Sequence, residues 1–344
     1  MTSERRTPVS RYLFLMDFQT PPGFLLGVNY PWVNYGQDFG RSPWGHSGVS
    51  SPATRQIVAA DFQNISVTGV KLVRWFLLCD GRSGLLLSNG IPTGPDDKFL
   101  EDVSAALDLA EQSGLQICFP LMDFLWLKNL QPPAPSDLPS PIPPAANALH
   151  FAAGREALLE TVFLPLFEKF QKHPALFAWE ICNEPEWAIR EFSPGPEAGI
   201  SLQDFRSFAQ DVADAVRETA QARVTLGSAR MIWVRAWSEI GLDFLQAHYY
   251  PQAEADQKHS LSEQLASLRN LKTPLWLGEL PATDPSHPSY SLEQSLGACR
   301  SAGLMGAGVW RWRDPEPGGQ DVAFGKADPQ FLASWLTQSG EFRV

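Results

Sequence analysis

Two carboxylates in this chain stand at the ends of apolar runs. Trp179-Glu180-Ile181-Cys182-Asn183-Glu184-Pro185 carries one, and Leu275-Trp276-Leu277-Gly278-Glu279 carries the other. If both runs are strands of one barrel, Glu184 and Glu279 share a rim. Facing carboxyl groups are the equipment for cleaving a glycosidic bond: one stabilises or traps an oxocarbenium-like centre, and the other protonates the leaving oxygen. The proton donor needs a raised pKa, which a negative neighbour and partial burial supply. Glu180 is a third acid in the first run. Alternation puts it on the same side as Glu184 but roughly 13 Å deeper, so it reads as a buried partner for an arginine.

The elements that must carry these groups alternate along the chain. Strands are expected over 24–29, 70–76, 115–121, 176–182, 224–227, 244–249 and 275–278, with an eighth ending at Val309-Trp310. Helices are expected over 51–65, where Ser51 caps and Pro52 takes the first helical position, and over 99–110, where Phe99, Val103, Ala106, Leu107 and Ala110 recur at helical spacing before Gly114. Further helices are expected over 155–171, 202–222, 261–271 and 291–302, and a last one starts near Phe331. Eight βα units at roughly 40 residues each are the arithmetic of an α/β, (β/α)8 TIM barrel spanning 1–344 as one domain. The strands are apolar without clean alternation, as parallel strands covered by helices should be. An open doubly wound sheet is the rival, and no GxGxxG turn follows the first strand to support it.

One segment departs from the pattern. Pro132, Pro133, Pro135, Pro139, Pro141, Pro143 and Pro144 crowd into 131–145, which excludes helix and central strand. It follows the third strand, so it is expected as a loop on the catalytic face, either a stiff insertion or a wall of the cleft.

Composition narrows the partners. The net charge is −11 and no Lys/Arg cluster exists, so nucleic acid and anionic membrane are poor partners. No apolar run reaches membrane-spanning length, and no convincing signal sequence opens the chain, so a cytoplasmic protein, monomeric by default, is expected. Cys79, Cys118, Cys182 and Cys299 form no CxxC pair and read as buried thiols. The 12 Trp and 21 Phe exceed what a core of this size requires, and Trp is also a stacking platform for sugar rings.

In a barrel, strand ends point into one mouth. The residues collected there include Asn29, Trp32 and Tyr35; Arg74; Asp123 and Trp126; Asn183 and Glu184; His248 and Tyr250; Glu279; and Trp310 and Trp312. Polar groups ringed by aromatics suit a neutral polyhydroxylated ligand. No three metal ligands cluster and no cofactor fingerprint is present, so no metal or organic cofactor is expected. Arg74 reads as an active-site group or a buried ion-pair partner, Asp123 as a site residue or a loop cap. Trp32, Trp126, Trp187 and Trp312 divide between platform and core.

The Asn-Glu-Pro ending of the fourth strand, the Glu ending the seventh, the His-x-Tyr after the sixth and the Arg in the second together resemble the clan A glycoside hydrolases, above all glycoside hydrolase family 5. The stretch from His173 through Trp179 into Asn183-Glu184-Pro185 is similar to its β-mannanase-like members. The resemblance covers nearly the whole chain. It implies a retaining double displacement with Glu184 as acid/base and Glu279 as nucleophile. It further implies that Asn183 binds the sugar 2-hydroxyl, Arg74 and Tyr250 hold the nucleophile, His248 binds sugar and Trp310 lies beneath the cleaved unit. Two departures stand out: Met122-Asp123-Phe124 replaces the histidine many members place after the third strand, and Leu280-Pro281 follows Glu279. The expected function is hydrolysis of a β-mannan- or β-glucan-type saccharide. A transglycosidase or an exo-acting hydrolase of small glycosides is the alternative, and a non-catalytic carbohydrate-binding barrel is the alternative from another class.

Overall fold

The computed structural model describes residues 23–129, 148–219, 222–254, 260–313 and 324–340. The proline-rich stretch 131–145 lies outside them. Eight parallel strands close into a barrel: β1 (Leu25–Asn29), β2 (Leu72–Arg74), β5 (Gln116–Pro120), β6 (Leu176–Asn183), β7 (Arg223–Ser228), β8 (Leu245–His248), β9 (Leu275–Pro281) and β10 (Gly306–Trp310), with β10 paired back onto β1. The antiparallel hairpin β3 (Leu85–Ser88) and β4 (Ile91–Pro95) stands outside the barrel. It was not expected. Its strands are short and partly exposed, with none of the sustained apolar run that marks the barrel strands.

The helices lie between strands in chain order: α1 (Pro52–Ser66), α2 (Phe99–Gln112), α3 (Ala152–Leu158), α4 (Leu164–Phe170), α5 (Leu202–Thr219), α6 (Leu261–Ser267), α7 (Leu292–Ser301) and α8 (Pro329–Ser339). Local chemistry sets their starts. Ser51 accepts from the Thr54 amide ahead of Pro52, and Ser260 with Glu263 forms a capping box on α6. The expected helix over 155–171 is interrupted: α3 and α4 are joined by a π turn, Leu159–Phe163. Pro165 has no N–H to give and crowds the carbonyl four residues back, and a widened turn is one way a helix absorbs it. Between β7 and β8 the chain forms a 3-10 helix, Met231–Trp237, in place of an α-helix. Among the described residues, no helix is long and apolar enough to cross a membrane.

The barrel interior is layered. Leu72, Cys118, Ala178, Phe244 and Trp276 are buried in one apolar cluster. Two residues further along their strands, and hence on the same face, come Arg74, Glu180, Gln246 and Gly278. The apolar layer excludes water from below, and the polar layer above supports the rim. All four cysteines are free and buried, as expected.

Candidate active site

The centre of the polar layer is Arg74, fully buried on β2. Its Nε and Nη2 donate to Glu180 at 2.6 Å each. Nη1 donates to Glu279 Oε1 at 2.6 Å and to Asn29 Oδ1 at 3.0 Å, and Nη2 also reaches Asn183 Oδ1 at 2.7 Å. Burial opposes its charge, but the coulombic pull of Glu180 and Glu279 outweighs that and raises its pKa. One guanidinium thus ties four strands to one plane. Glu180 is the buried arginine partner expected of it, and the Arg74 guanidinium links its carboxylate to that of Glu279.

Glu279 is buried near the C-terminal end of β9, which runs on through Leu280 and Pro281. Besides Arg74, the Tyr250 hydroxyl donates to its Oε2 at 2.7 Å. Its pKa is raised, by burial first and also by the charge of Glu184, against the pull of Arg74 and the Tyr250 hydrogen bond. Both oxygens therefore hold a donor, which favours the carboxylate form.

Glu184 ends β6 differently. Its backbone is left-handed, with φ +50°, a conformation that costs a non-glycine residue on the order of 1 kcal/mol. Pro185–Ala188 follows as a 3-10 turn, which swings the chain out of the barrel wall. Trp187, one turn on, donates its indole N–H to Glu184 Oε2 at 2.9 Å. Nδ1 of His248 lies 2.7 Å from Glu184 Oε1 and 3.6 Å from Glu279 Oε1. Burial pushes the His248 pKa down to about 4, Arg74 adds to this, and Glu279 and Glu180 oppose it. The ring is neutral near pH 7.

Oxygens of Glu184 and Glu279 and a ring nitrogen of His248 lie within 4.8 Å of one another. The two carboxylates therefore converge on one point of the mouth, where a pair of carboxyl groups can flank a glycosidic bond. The same three side chains are near enough to share a metal ion, but a paired-carboxylate hydrolysis requires no Lewis acid.

Asn183 is oriented from both ends. Its Oδ1 accepts from Arg74, and its Nδ2 donates to Asp123 Oδ2 at 2.9 Å. Asp123 also accepts from the Leu125 amide, capping the short 3-10 turn Phe124–Trp126. It is therefore a cap and a neighbour of the site at once. Burial lifts its pKa to about 7, hydrogen bonds from Leu125 and Asn183 resist, and the charges of Glu184 and Asp80 add to the rise.

Aromatic side chains flank the pair. Trp310, with Phe76 and Cys79, forms a small cluster against which Trp32, Tyr35, Tyr250 and Phe324 pack. Trp32 and Trp310 meet edge to face at 6.3 Å. On the Glu184 side, Trp187 and Trp233 meet at 5.3 Å. The expectation that Trp126 binds substrate is corrected. Trp126 is fully buried, its indole N–H donates to the Cys79 carbonyl at 2.7 Å, and it belongs to the main core. The 3-10 turn after β5 folds it inward. Trp312 is likewise core. Two residues of the site escaped the sequence reading: Trp187 as a donor to Glu184, and Gln246, whose amide lies between Glu180 and His248. The one available signal for Gln246 was its alternation with His248 on β8.

No family model matches the chain. The mannan endo-1,4-β-mannosidase of Mytilus edulis is 25% identical over 334 residues, covering 85% of this chain and 84% of that protein. The solved β-1,4-D-mannanase of Cryptopygus antarcticus superposes with a TM-score of 0.71 at 17% identity, over 91% of this chain and 90% of that one. The β-mannanase structure from Mytilus edulis gives 0.67 at 22%, over 92% of each chain. The likeness to mannan endo-1,4-β-mannosidases runs the length of the barrel, and the chain is a glycoside hydrolase that resembles the clan A, family 5 β-mannanases.

Proposed function

We propose that the chain hydrolyses β-1,4-linked mannan-type saccharides with net retention, Glu279 acting as nucleophile and Glu184 as acid and then base. The observation that carries this reading is the unequal holding of two close carboxylates. Glu279 is fixed by Arg74 and Tyr250, which keep it ionised and immobile for attack on the anomeric carbon. Glu184 is partly exposed and held by His248 and Trp187, free to exchange a proton with solvent and leaving group.

In the first step the Glu184 carboxyl proton passes to the glycosidic oxygen as the C1–O bond breaks, and Glu279 bonds to C1. In the second, Glu184 takes a proton from water, the hydroxyl bonds to C1, and Glu279 leaves as a carboxylate. In this reading Asn183 binds the 2-hydroxyl, a role supported by its hold on Arg74 and Asp123, and Trp310 underlies the cleaved unit. Trp32 and Tyr35 extend that wall. The choice of β-mannan rests on the Mytilus edulis and Cryptopygus antarcticus relatives, both mannan endo-1,4-β-mannosidases.

The test is digestion of soluble galactomannan, β-1,4-mannooligosaccharides and soluble β-glucan, with the first-formed anomer followed by proton NMR. Internal cuts in mannan that release the β-anomer first are expected. Release of the α-anomer first overturns the mechanism, and turnover of glucan without mannan overturns the substrate.

A further inference from the structure

We propose that Gln246 is a positioning residue that locks His248 as its Nδ1–H tautomer, so that the imidazole donates to Glu184 throughout the cycle. The proposal rests on the roles given above to Glu184 and Glu279 and extends them to a side chain that touches neither.

The Gln246 amide is buried in the polar layer on β8, and its orientation is forced. Nε2 lies 3.0 Å from Glu180 Oε2 and 3.4 Å from His248 Nε2. Both oxygens of Glu180 accept from the Arg74 guanidinium, so they face Gln246 as acceptors. The Gln246 atom facing it must therefore be the NH2 group, because a flipped amide would set oxygen against oxygen. An NH2 group has two hydrogens. One goes to Glu180, and the other points at His248 Nε2, which must then be the lone-pair nitrogen. The proton of the neutral ring is left on Nδ1, which faces Glu184 Oε1 at 2.7 Å.

The opposite tautomer sets an Nε2–H against the Gln246 donor, and its bare Nδ1 can face Glu184 only when that carboxyl is protonated. The groups facing this ring are Glu184 from β6, Glu279 from β9, Arg74 from β2 and Glu180 beneath. Burial of the ring, helped by Arg74, outweighs the pull of Glu279 and Glu180 and lowers its pKa to about 4, so near pH 7 the ring is neutral and the choice between tautomers is a real one.

The space for this amide has been cleared on both sides. A Cβ at Gly227 on β7 would stand 2.4 Å from Glu180 Oε1 and 2.9 Å from Gln246 Nε2. A Cβ at Gly278 on β9 would stand 2.6 Å from both Cδ and Nε2 of Gln246. Neither glycine has the positive φ that would explain it on backbone grounds. Both neighbouring strands give up a side chain where the glutamine amide lies, so the amide can reach Glu180 and His248.

A fixed Nδ1–H has a consequence for the second half of the reaction. It supports Glu184 as a carboxylate, the form that takes a proton from water. With the tautomer reversed, Nδ1 becomes an acceptor and supports protonated Glu184 instead. The glycosyl–enzyme then persists, because its breakdown needs the base.

The experiment is a long-range proton–nitrogen NMR spectrum of imidazole-labelled protein at neutral pH, comparing the wild type with Gln246→Met and Gln246→Leu. His248 is assigned by its loss in His248→Asn. In the wild type the Nδ1–H pattern is expected for His248, and an Nε2–H or a cationic ring overturns the proposal. In the two variants the ring should change to mainly Nε2–H, and an unchanged tautomer in a folded variant overturns it. The wild-type spectrum needs no substitution at Gln246, so it decides even where a variant costs the fold.

Kinetics supply a second readout. With an aryl β-mannoside of a good leaving group, kcat and KM should fall together by about tenfold while kcat/KM holds, the mark of slowed breakdown of an intermediate. Equal loss in kcat and kcat/KM overturns the link to the second step. If the whole protein turns over no glycoside, the reading of the enzyme fails, while the tautomer measurement still stands or falls by itself.

Discussion

Nη1 of Arg74 lies 2.6 Å from Oε1 of Glu279, while Nε and Nη2 of the same guanidinium grip Glu180 at the same distance. The carboxylate proposed to attack, Glu279, is thus positioned by an arginine that is itself held from beneath by Glu180. A lysine keeps the charge but cannot form this fork. Arg74→Lys should lower kcat/KM on an aryl β-glycoside by about 10²–10³-fold. It should also lower stability by about 3 kcal/mol, since it leaves a buried carboxylate short of its partners. Turnover and chemical denaturation of the variant check the two parts, and near-normal turnover would contradict the positioning role.

Removing each carboxylate should lead to a different product. Glu279→Ala should lose at least about 10³-fold in rate, and added azide should restore part of it by attacking from the vacated face, giving an α-glycosyl azide. Glu184→Ala still forms the covalent intermediate from an activated aryl glycoside. Azide then needs no base to displace Glu279 and gives the β-glycosyl azide. Product configuration by NMR separates the roles, and the reverse pairing would exchange them.

Much of the site was legible from strand ends. Glu184, Glu279, Arg74, His248 and Tyr250 could be placed because a parallel barrel brings the C-terminal ends of its strands to one mouth, and the apolar runs that precede these residues mark the strands. What stayed illegible depends on side-chain direction after the strand ends. Trp126 lies three residues beyond Asp123, and a single 3-10 turn sends its indole into the core rather than the cleft. Trp187 lies three residues beyond Glu184, and a similar turn brings its indole back onto that carboxylate. The same spacing leads to opposite fates because the space around each turn differs, and that space belongs to other strands. The hairpin β3–β4 was missed although Asn89-Gly90 is a turn signal between its strands, because Leu85-Leu86-Leu87 hides the alternation in burial that the folded hairpin has.

Asp123 gives the pH dependence its sign. Its folded pKa is about 7 against an ordinary 3.8, chiefly through burial. Between those values the folded protein holds a proton that the unfolded chain has released, so stability falls as pH rises from about 4 to about 7. Glu186, raised to about 7, and Asp38, raised to about 6, both by burial first, act in the same direction. His248, lowered to about 4 from 6.5, acts in the opposite one, adding stability as pH rises through that window. Asp123→Asn removes one contribution and leaves the others. The melting temperature of the variant minus that of the wild type should therefore grow by a few degrees from pH 4 to pH 7. A difference independent of pH would show that Asp123 is ionised across the range.

Trp187 separates hydrogen bonding from stacking at Glu184. Its indole N–H donates to Oε2 at 2.9 Å, and its ring meets Trp233 at 5.3 Å. Trp187→Phe keeps an aromatic surface and removes the donor. Oε2 of Glu184 then loses support for its ionised form, while His248 still holds Oε1. Breakdown of the glycosyl–enzyme, which needs ionised Glu184, should slow by about tenfold, whereas saccharide binding that relies on the ring should change little. Trp187→Ala should show the same loss in kcat together with a raised KM on mannooligosaccharides, because the stacking face is gone as well. Burst kinetics with an aryl β-mannoside measure the breakdown step directly. If Trp187→Phe and wild type show the same steady-state rate and the same burst, the indole N–H contributes nothing to Glu184, and the contact is packing alone.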